Sequence, residues 1–191
     1  MLSCCRKTDY GFTLLEMMLV LIIGGVLTAI AIPAFMNWAP KYRVNGAARQ
    51  VFSEMMAARA KAISEGNDYI ISFDISNNRF TIYDDDDNNG MDSGESVRTI
   101  IIPEAYPGIE FGRVSSPRDS SAAGFVTFIG TGPSVTFLRS GLVKTSDLPG
   151  SLSGDVYLMP EDDTNLDRQR CVSVNLTGRV RLYKYTGSDW E

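Results

Sequence analysis

Apolar residues change their rhythm twice along this chain. From Phe12 to Met36 they run almost without interruption, and Glu16 is the only charge. At about 1.5 Å rise per residue, a helix over that run is roughly 37 Å long, enough for a hydrocarbon core of about 30 Å. From Val44 onward the pattern is that of a helix with one apolar face. Val44, Ala47, Ala48, Val51, Phe52, Met55, Ala58, Ala62 and Ile63 recur at spacings of three and four, while Arg43, Arg49, Glu54, Arg59 and Lys61 take other faces. Glu65-Gly66 predicts the end of the helix, with Gly66 as its cap. Pro33 and Pro40 each delete an intrahelical hydrogen bond and are expected to bend or interrupt the rod.

Beyond Gly66 the period falls to two. Strands are predicted at 69–75, 79–83, 97–102, 109–114, 124–129, 134–139, 155–159, 170–175 and 179–185. Ser76-Asn77-Asn78 and Leu176-Thr177-Gly178 read as tight connections, and the Gly, Pro, Ser and Asp clusters elsewhere as loops. A long helix followed by successive antiparallel strands is an α+β arrangement, with the helix covering the sheet on one side.

The chain has 191 residues, a net charge of −5 and no histidine. The missing imidazole excludes Ser-His-Asp and Cys-His catalysis, the usual zinc sites and the common acid-base group near neutral pH. Acidic balance argues against general nucleic-acid binding. Composition therefore points away from an enzyme.

Arg6 and Lys7 precede the apolar run, which holds the N-terminus in the cytoplasm by the positive-inside rule. The run is too long for a cleaved secretory signal. A plain single-pass anchor leaves Glu16 unexplained, because a carboxylate at the centre of a bilayer costs roughly 2.5 to 3.5 kcal/mol. Gly11-Phe12-Thr13-Leu14-Leu15-Glu16, behind a short basic leader, resembles the processing site of type IV prepilins and pseudopilins. The stretch Met17 to Pro33 resembles the N-terminal helix of that family.

The resemblance implies that a prepilin peptidase cuts between Gly11 and Phe12 and methylates the new amine of Phe12. It implies that Glu16 meets that amine, in the same or a neighbouring subunit, during assembly with other pilins or pseudopilins through the helix. The domains are then a leader at 1–11, a membrane or filament-core helix at 12–40, and an amphipathic helix with a β-rich domain at 41–191. The implied location is the bacterial inner membrane, crossed once, with the globular domain in the periplasm and later in a pseudopilus or pilus. Cys4 and Cys5 leave with the leader, so Cys171 is the only thiol of the mature chain. Many pilins carry a disulfide near the C-terminus; this sequence departs from them, and Cys171 reads as a small buried hydrophobe on a strand.

In the C-terminal half, Phe137-Leu138-Arg139-Ser140-Gly141-Leu142-Val143 and Cys171-Val172-Ser173-Val174-Asn175-Leu176-Thr177-Gly178-Arg179-Val180-Arg181 are similar to the H-type pseudopilins and the FimT class of minor pilins. That similarity implies a non-catalytic minor subunit that initiates or caps a type II secretion pseudopilus or a type IV pilus. The alternative it allows is a DNA receptor of an uptake pilus. For that role Arg179, Arg181 and Lys184 are expected on one face of the last strand, with Tyr183 and Tyr185 on the other. The same three charges also read as an ordinary solvated strand face.

One loop is conspicuously acidic: Asp84-Asp85-Asp86-Asp87-Asn88-Asn89-Gly90-Met91-Asp92-Ser93-Gly94-Glu95. Asp85, Asp87 and Asn89 have the alternate spacing of oxygen ligands in the first half of a calcium loop, with Gly90 for the turn. The Met91 carbonyl, Asp92 and Glu95 are candidates to complete a Ca2+ site. The position that normally closes such a loop is Ser96, and strands rather than helices are expected on either side. A solvated hairpin tip with turn-forming residues is the competing reading. No cofactor is required by either.

Overall fold

The computed structural model describes residues 11–87, 89–92, 94–118, 124–150, 152–161 and 163–191, the side chain of Asn37 excepted. The leader residues Cys4, Cys5, Arg6 and Lys7 lie outside the described residues. Two compact units meet between Ala39 and Pro40.

Helix α1 runs Leu14–Glu65 without a break. Pro33 and Pro40 both lie within it: each removes one N–H from the ladder, and the bonds on either side keep the turn. Up to Met36 its large apolar side chains are all exposed, and the helix is long and apolar enough to cross a membrane. Its end is the expected one. Gly66 adopts φ +79°, a left-handed conformation that costs a side-chain-bearing residue steric strain, and its N–H donates to the Ala62 carbonyl at 3.1 Å.

Within 40–191, Val44, Ala47, Ala48, Val51, Met55, Ala58 and Ala62 are buried along one stripe of α1. Phe52 is half-buried, and Ile63, expected in that stripe, is exposed. Glu54, expected on a polar face, is buried beside it, where Arg98 pairs with it at 2.9 Å and Gln50 donates to it at 2.7 Å. Four alanines in the stripe leave little side chain between the helix backbone and what it packs on.

Two four-stranded antiparallel sheets, not one, meet that stripe. The first comprises β1 (Asp68–Asp74), β2 (Arg79–Asp85), β3 (Ser96–Ile101) and β5 (Ser134–Phe137) in the order β3-β2-β1-β5. The second comprises β4 (Ile109–Phe111), β6 (Ser153–Pro160), β7 (Arg170–Asn175) and β8 (Val180–Lys184) in the order β4-β6-β7-β8. One continuous core joins the α1 stripe to Ile71, Phe73 and Phe80 of the first sheet and to Val156, Leu158, Val172 and Val174 of the second. Burying those side chains is the main stabilising term of the domain.

Turn chemistry sets the β1–β2 register. Asp74 accepts from the Asn77 N–H at 3.2 Å and from the Ser76 hydroxyl at 2.7 Å, while Asn78 takes φ +48°. Three expectations change. The strand at 109–114 stops at Phe111, because Val114 and Ser115 turn their N–H groups to the side-chain oxygen (Oε1) of the buried Gln169 at 2.9 and 3.1 Å. The strand at 124–129 reduces to a single bridge, Val126 to Val156, on an edge of β6 that β4 shares. Pro103 starts a one-turn helix, α2 (Ile102–Ala105), where the strand was expected to end.

Candidate functional site

At the start of α1, Thr13 and Glu16 cap one another. The Glu16 N–H donates to the Thr13 hydroxyl at 3.2 Å, and the Thr13 N–H donates to a Glu16 carboxylate oxygen at 3.5 Å. This is the reciprocal capping box of a Thr-x-x-Glu sequence, which satisfies two of the donors that a helix N-terminus otherwise leaves bare. Glu16 also places its negative charge where the helix dipole is positive. The Thr-x-x-Glu spacing is legible in the sequence. Gly11 and Phe12 precede the helix and are exposed.

In the acidic loop, carboxylate oxygens of Asp85, Asp87 and Glu95 lie within 4.8 Å of one another. Asp85 is buried and accepts the Gly90 N–H at 3.2 Å. Asn89 donates its side-chain amide to Asp87 at 2.7 Å and to Asp92 at 3.2 Å, and Asp92 donates its N–H to Glu95 at 3.3 Å. Burial, followed by the charges of Asp87, Asp85 and Asp86, holds the Glu95 carboxyl above the usual range despite the Asp92 N–H. Of the six residues expected around a cation, the structure thus gathers three carboxylates. Asn89 and Asp92 spend side-chain groups on hydrogen bonds inside the loop, and Met91 lines an adjoining cavity of about 290 Å3 with Lys144. Asp84 belongs elsewhere: its carboxylate accepts from Asn67 and from the Tyr69 hydroxyl, each at 3.0 Å.

The second sheet has an outer face as well as a core face. Tyr157, Cys171, Tyr185 and Trp190 form a small cluster there, with Trp190 Nε1 donating to the Ser116 carbonyl at 3.1 Å. Cys171 is fully buried, and burial pushes its thiol well above the usual range. Period-two alternation along β8 corrects the expected basic face. Arg179, Arg181, Tyr183 and Tyr185 share the outer side, where Arg181 Nη1 donates to the Tyr183 hydroxyl at 3.4 Å. Lys184 is opposite Arg170 on the other side, the side of Val180 and α1, since Arg170 Nε donates to Asn45 at 2.6 Å. Arg118, which sequence reasoning did not single out, joins Arg179 and Arg181 in one cavity of about 210 Å3. Its guanidinium pairs with the buried Asp155 at 2.9 Å and donates to Ser173 at 2.9 Å.

The two glycines of the C-terminal motif pack on each other. A Cβ on Gly178 would lie 2.2 Å from the Gly141 carbonyl oxygen and 2.7 Å from Arg59 Nε. Arg59 reaches from α1 to donate to the Gly141 carbonyl at 2.9 Å and to the Thr177 carbonyl at 3.2 Å. Both glycines have positive φ, +79° and +72°.

An exposed apolar helix that begins with a carboxylate, continuing into an amphipathic stripe over antiparallel sheets, defines a pilin-like subunit. Residues 6–32 match the prokaryotic N-terminal methylation motif, and residues 47–178 match the type II transport protein GspH. The second match covers more than half of the chain, which belongs to the GspH family. A fimbrial protein of Pseudomonas aeruginosa is 39% identical over 66 residues, 35% of this chain and 42% of that protein, so the chain spans less than half the length of the curated relatives it matches. The crystal structure of the minor pseudopilin EpsH from the type II secretion system of Vibrio cholerae superposes with a TM-score of 0.50 at 17% identity, over 78% of this chain and 99% of that one. The P. aeruginosa type IV minor pilin FimU aligns with a TM-score of 0.47 at 13% identity, over 72% and 90% of the two chains. The likeness to EpsH is one of fold.

Proposed function

We propose that this chain is a non-catalytic subunit that initiates or caps a type II secretion pseudopilus or a type IV pilus. It is held in the bacterial inner membrane with its β-domain in the periplasm until it is drawn into the assembly. The reading rests on one observation: Glu16 stands in the first turn of a helix that is otherwise uncharged up to Met36 and whose large apolar side chains are exposed. Such a surface is buried only in lipid or against other helices, and a carboxylate in either place needs a counter-charge. Cleavage between Gly11 and Phe12 by a prepilin peptidase supplies one, the methylated amine of Phe12, in the same subunit or the next. No cofactor is invoked.

Replacing Glu16 by Val tests the reading. Membrane insertion is expected to persist, since the transfer cost falls, while co-purification of other pilin subunits drops. Wild-type recovery of those subunits with Glu16→Val would overturn it. The alternative, a receptor for DNA, loses Lys184 from its basic face and rests on Arg179 and Arg181 alone.

A further inference from the structure

Three guanidinium groups meet on the outer face of the second sheet, and their charges are not equally spoken for. Arg118 is committed. Asp155 neutralises it, Ser153 and Ser173 accept from it at 3.1 and 2.9 Å, and the Tyr157 hydroxyl receives its backbone N–H at 2.9 Å. Arg179 and Arg181 are exposed, and no carboxylate among the described residues pairs with either. All three line the same cavity of about 210 Å3, together with Ser173 and Asn175. Two uncompensated guanidiniums side by side repel one another, and an oxyanion between them removes that repulsion while accepting forked, charge-assisted hydrogen bonds.

The geometry also selects the kind of anion. The volume suits one small group rather than a polymer. One face of Tyr183, the aromatic ring in the cavity, is already covered by the Arg118 guanidinium at 5.1 Å, which leaves less of the ring for a base to stack on. Lys184 lies on the opposite side of the sheet, so the basic groups make a point and not a track. At physiological ionic strength a carboxylate in the cavity feels chiefly the nearest cations, Arg179 and Arg181. We infer that this cavity binds a side-chain carboxylate of an acidic peptide segment on a neighbouring protein subunit. Arg179 and Arg181 grip the carboxylate, and Arg118, locked by Asp155, forms the floor. That the segment belongs to a subunit of the same assembly rests on the function proposed above; binding of the carboxylate does not.

Calorimetry on the full chain in detergent micelles tests this with a blocked hexaglutamate peptide, its hexaglutamine counterpart and a short single-stranded oligodeoxynucleotide at one ionic strength. The glutamate peptide is expected to bind and the glutamine peptide not to. Affinity should fall about tenfold or more in Arg179→Gln/Arg181→Gln, the loss of charge-assisted bonds from two exposed side chains, and stay unchanged in Lys184→Gln. Circular dichroism of the double variant should match the wild type. No binding of hexaglutamate, binding that survives the double variant, or tighter binding of the oligonucleotide through the same arginines would each overturn the inference. Because the peptide is supplied in solution, a Glu16→Val chain that fails to assemble is still expected to bind it, which separates this inference from the proposed function.

Discussion

Thr13 and Glu16 are each other's cap: the hydroxyl of one accepts the N–H of the other at 3.2 Å, and the carboxylate returns the bond at 3.5 Å. The proposed cleavage after Gly11 would leave both partners in place, Thr13 next to the new amine and Glu16 four residues from it. The capping box therefore holds the Glu16 side chain at the helix end where that amine arises. Substituting Thr13 by Val is expected to cost about 1 kcal/mol at the helix start, and Thr13→Ser to restore most of it. Hydrogen exchange at the amide of Glu16 in micelles measures the difference, and equal protection in Thr13→Val and wild type would refute the role.

Processing is read directly by mass. The membrane-extracted protein is expected to begin with methylated Phe12, and a bulky residue at Gly11 to leave the leader attached. An intact Met1 terminus in cells that contain the peptidase would remove the basis for the Glu16–amine pair.

Gly178→Ala should destabilise the domain more than any nearby surface substitution. Its Cβ meets the Gly141 carbonyl at 2.2 Å, and φ +72° is unfavourable for any side chain. Costs of about 1 to 3 kcal/mol are usual for such strain, seen as a drop of several degrees in melting temperature. Arg59→Ala should cost less, since the two carbonyls it caps regain water. A Gly178→Ala chain as stable as wild type would show that the turn relaxes freely.

Acid should weaken the fold in a defined window. Burial disfavours the charge on Asp163, but the Asn165 N–H and the Arg168 guanidinium at 2.6 Å outweigh it and hold the carboxyl below its usual range. Lys41 does the same, against some desolvation, for Asp167. Folded values below the unfolded one contribute stability that is complete above about pH 4 and is lost as the pH falls through the folded values. Asp163→Asn should lower stability at pH 7 by about 1 kcal/mol or less, given solvent screening, and flatten that acid limb. A steep limb unchanged in the Asn variant would assign it to other carboxylates.

In the acidic loop the sign reverses. Glu95 is held above its usual range, so its contribution is present in acid and lost as the pH rises through that raised value. Charge relief then predicts that calcium, magnesium and moderate sodium chloride all raise the melting temperature of the full chain modestly. A site built from Asp85, Asp87 and Glu95 predicts instead a shift of several degrees with millimolar calcium alone, abolished in Asp85→Ala/Asp87→Ala. We expect the first outcome, because Asn89, Asp92 and Gly90 already satisfy much of the loop internally.

Local chemistry is where the sequence by itself sufficed. The change from an unbroken apolar run to spacings of three and four placed α1, Gly66 ended it, and Ser76-Asn77-Asn78 closed the β1–β2 hairpin, since each depends on residues a few positions apart. Even the separation of Lys184 from Arg179 and Arg181 follows from counting by twos, and Thr-x-x-Glu announces its capping box. Only the tertiary structure decided which strands are neighbours. Alternation says which face a residue takes but not which strand lies beside it, so the division into β3-β2-β1-β5 and β4-β6-β7-β8 had no local signal. The same holds for Arg118 entering the cavity of Arg179 and Arg181, and for Gly141 meeting Gly178 beneath Arg59. These contacts join distant segments whose proximity is created by the packing of both sheets on one helix stripe.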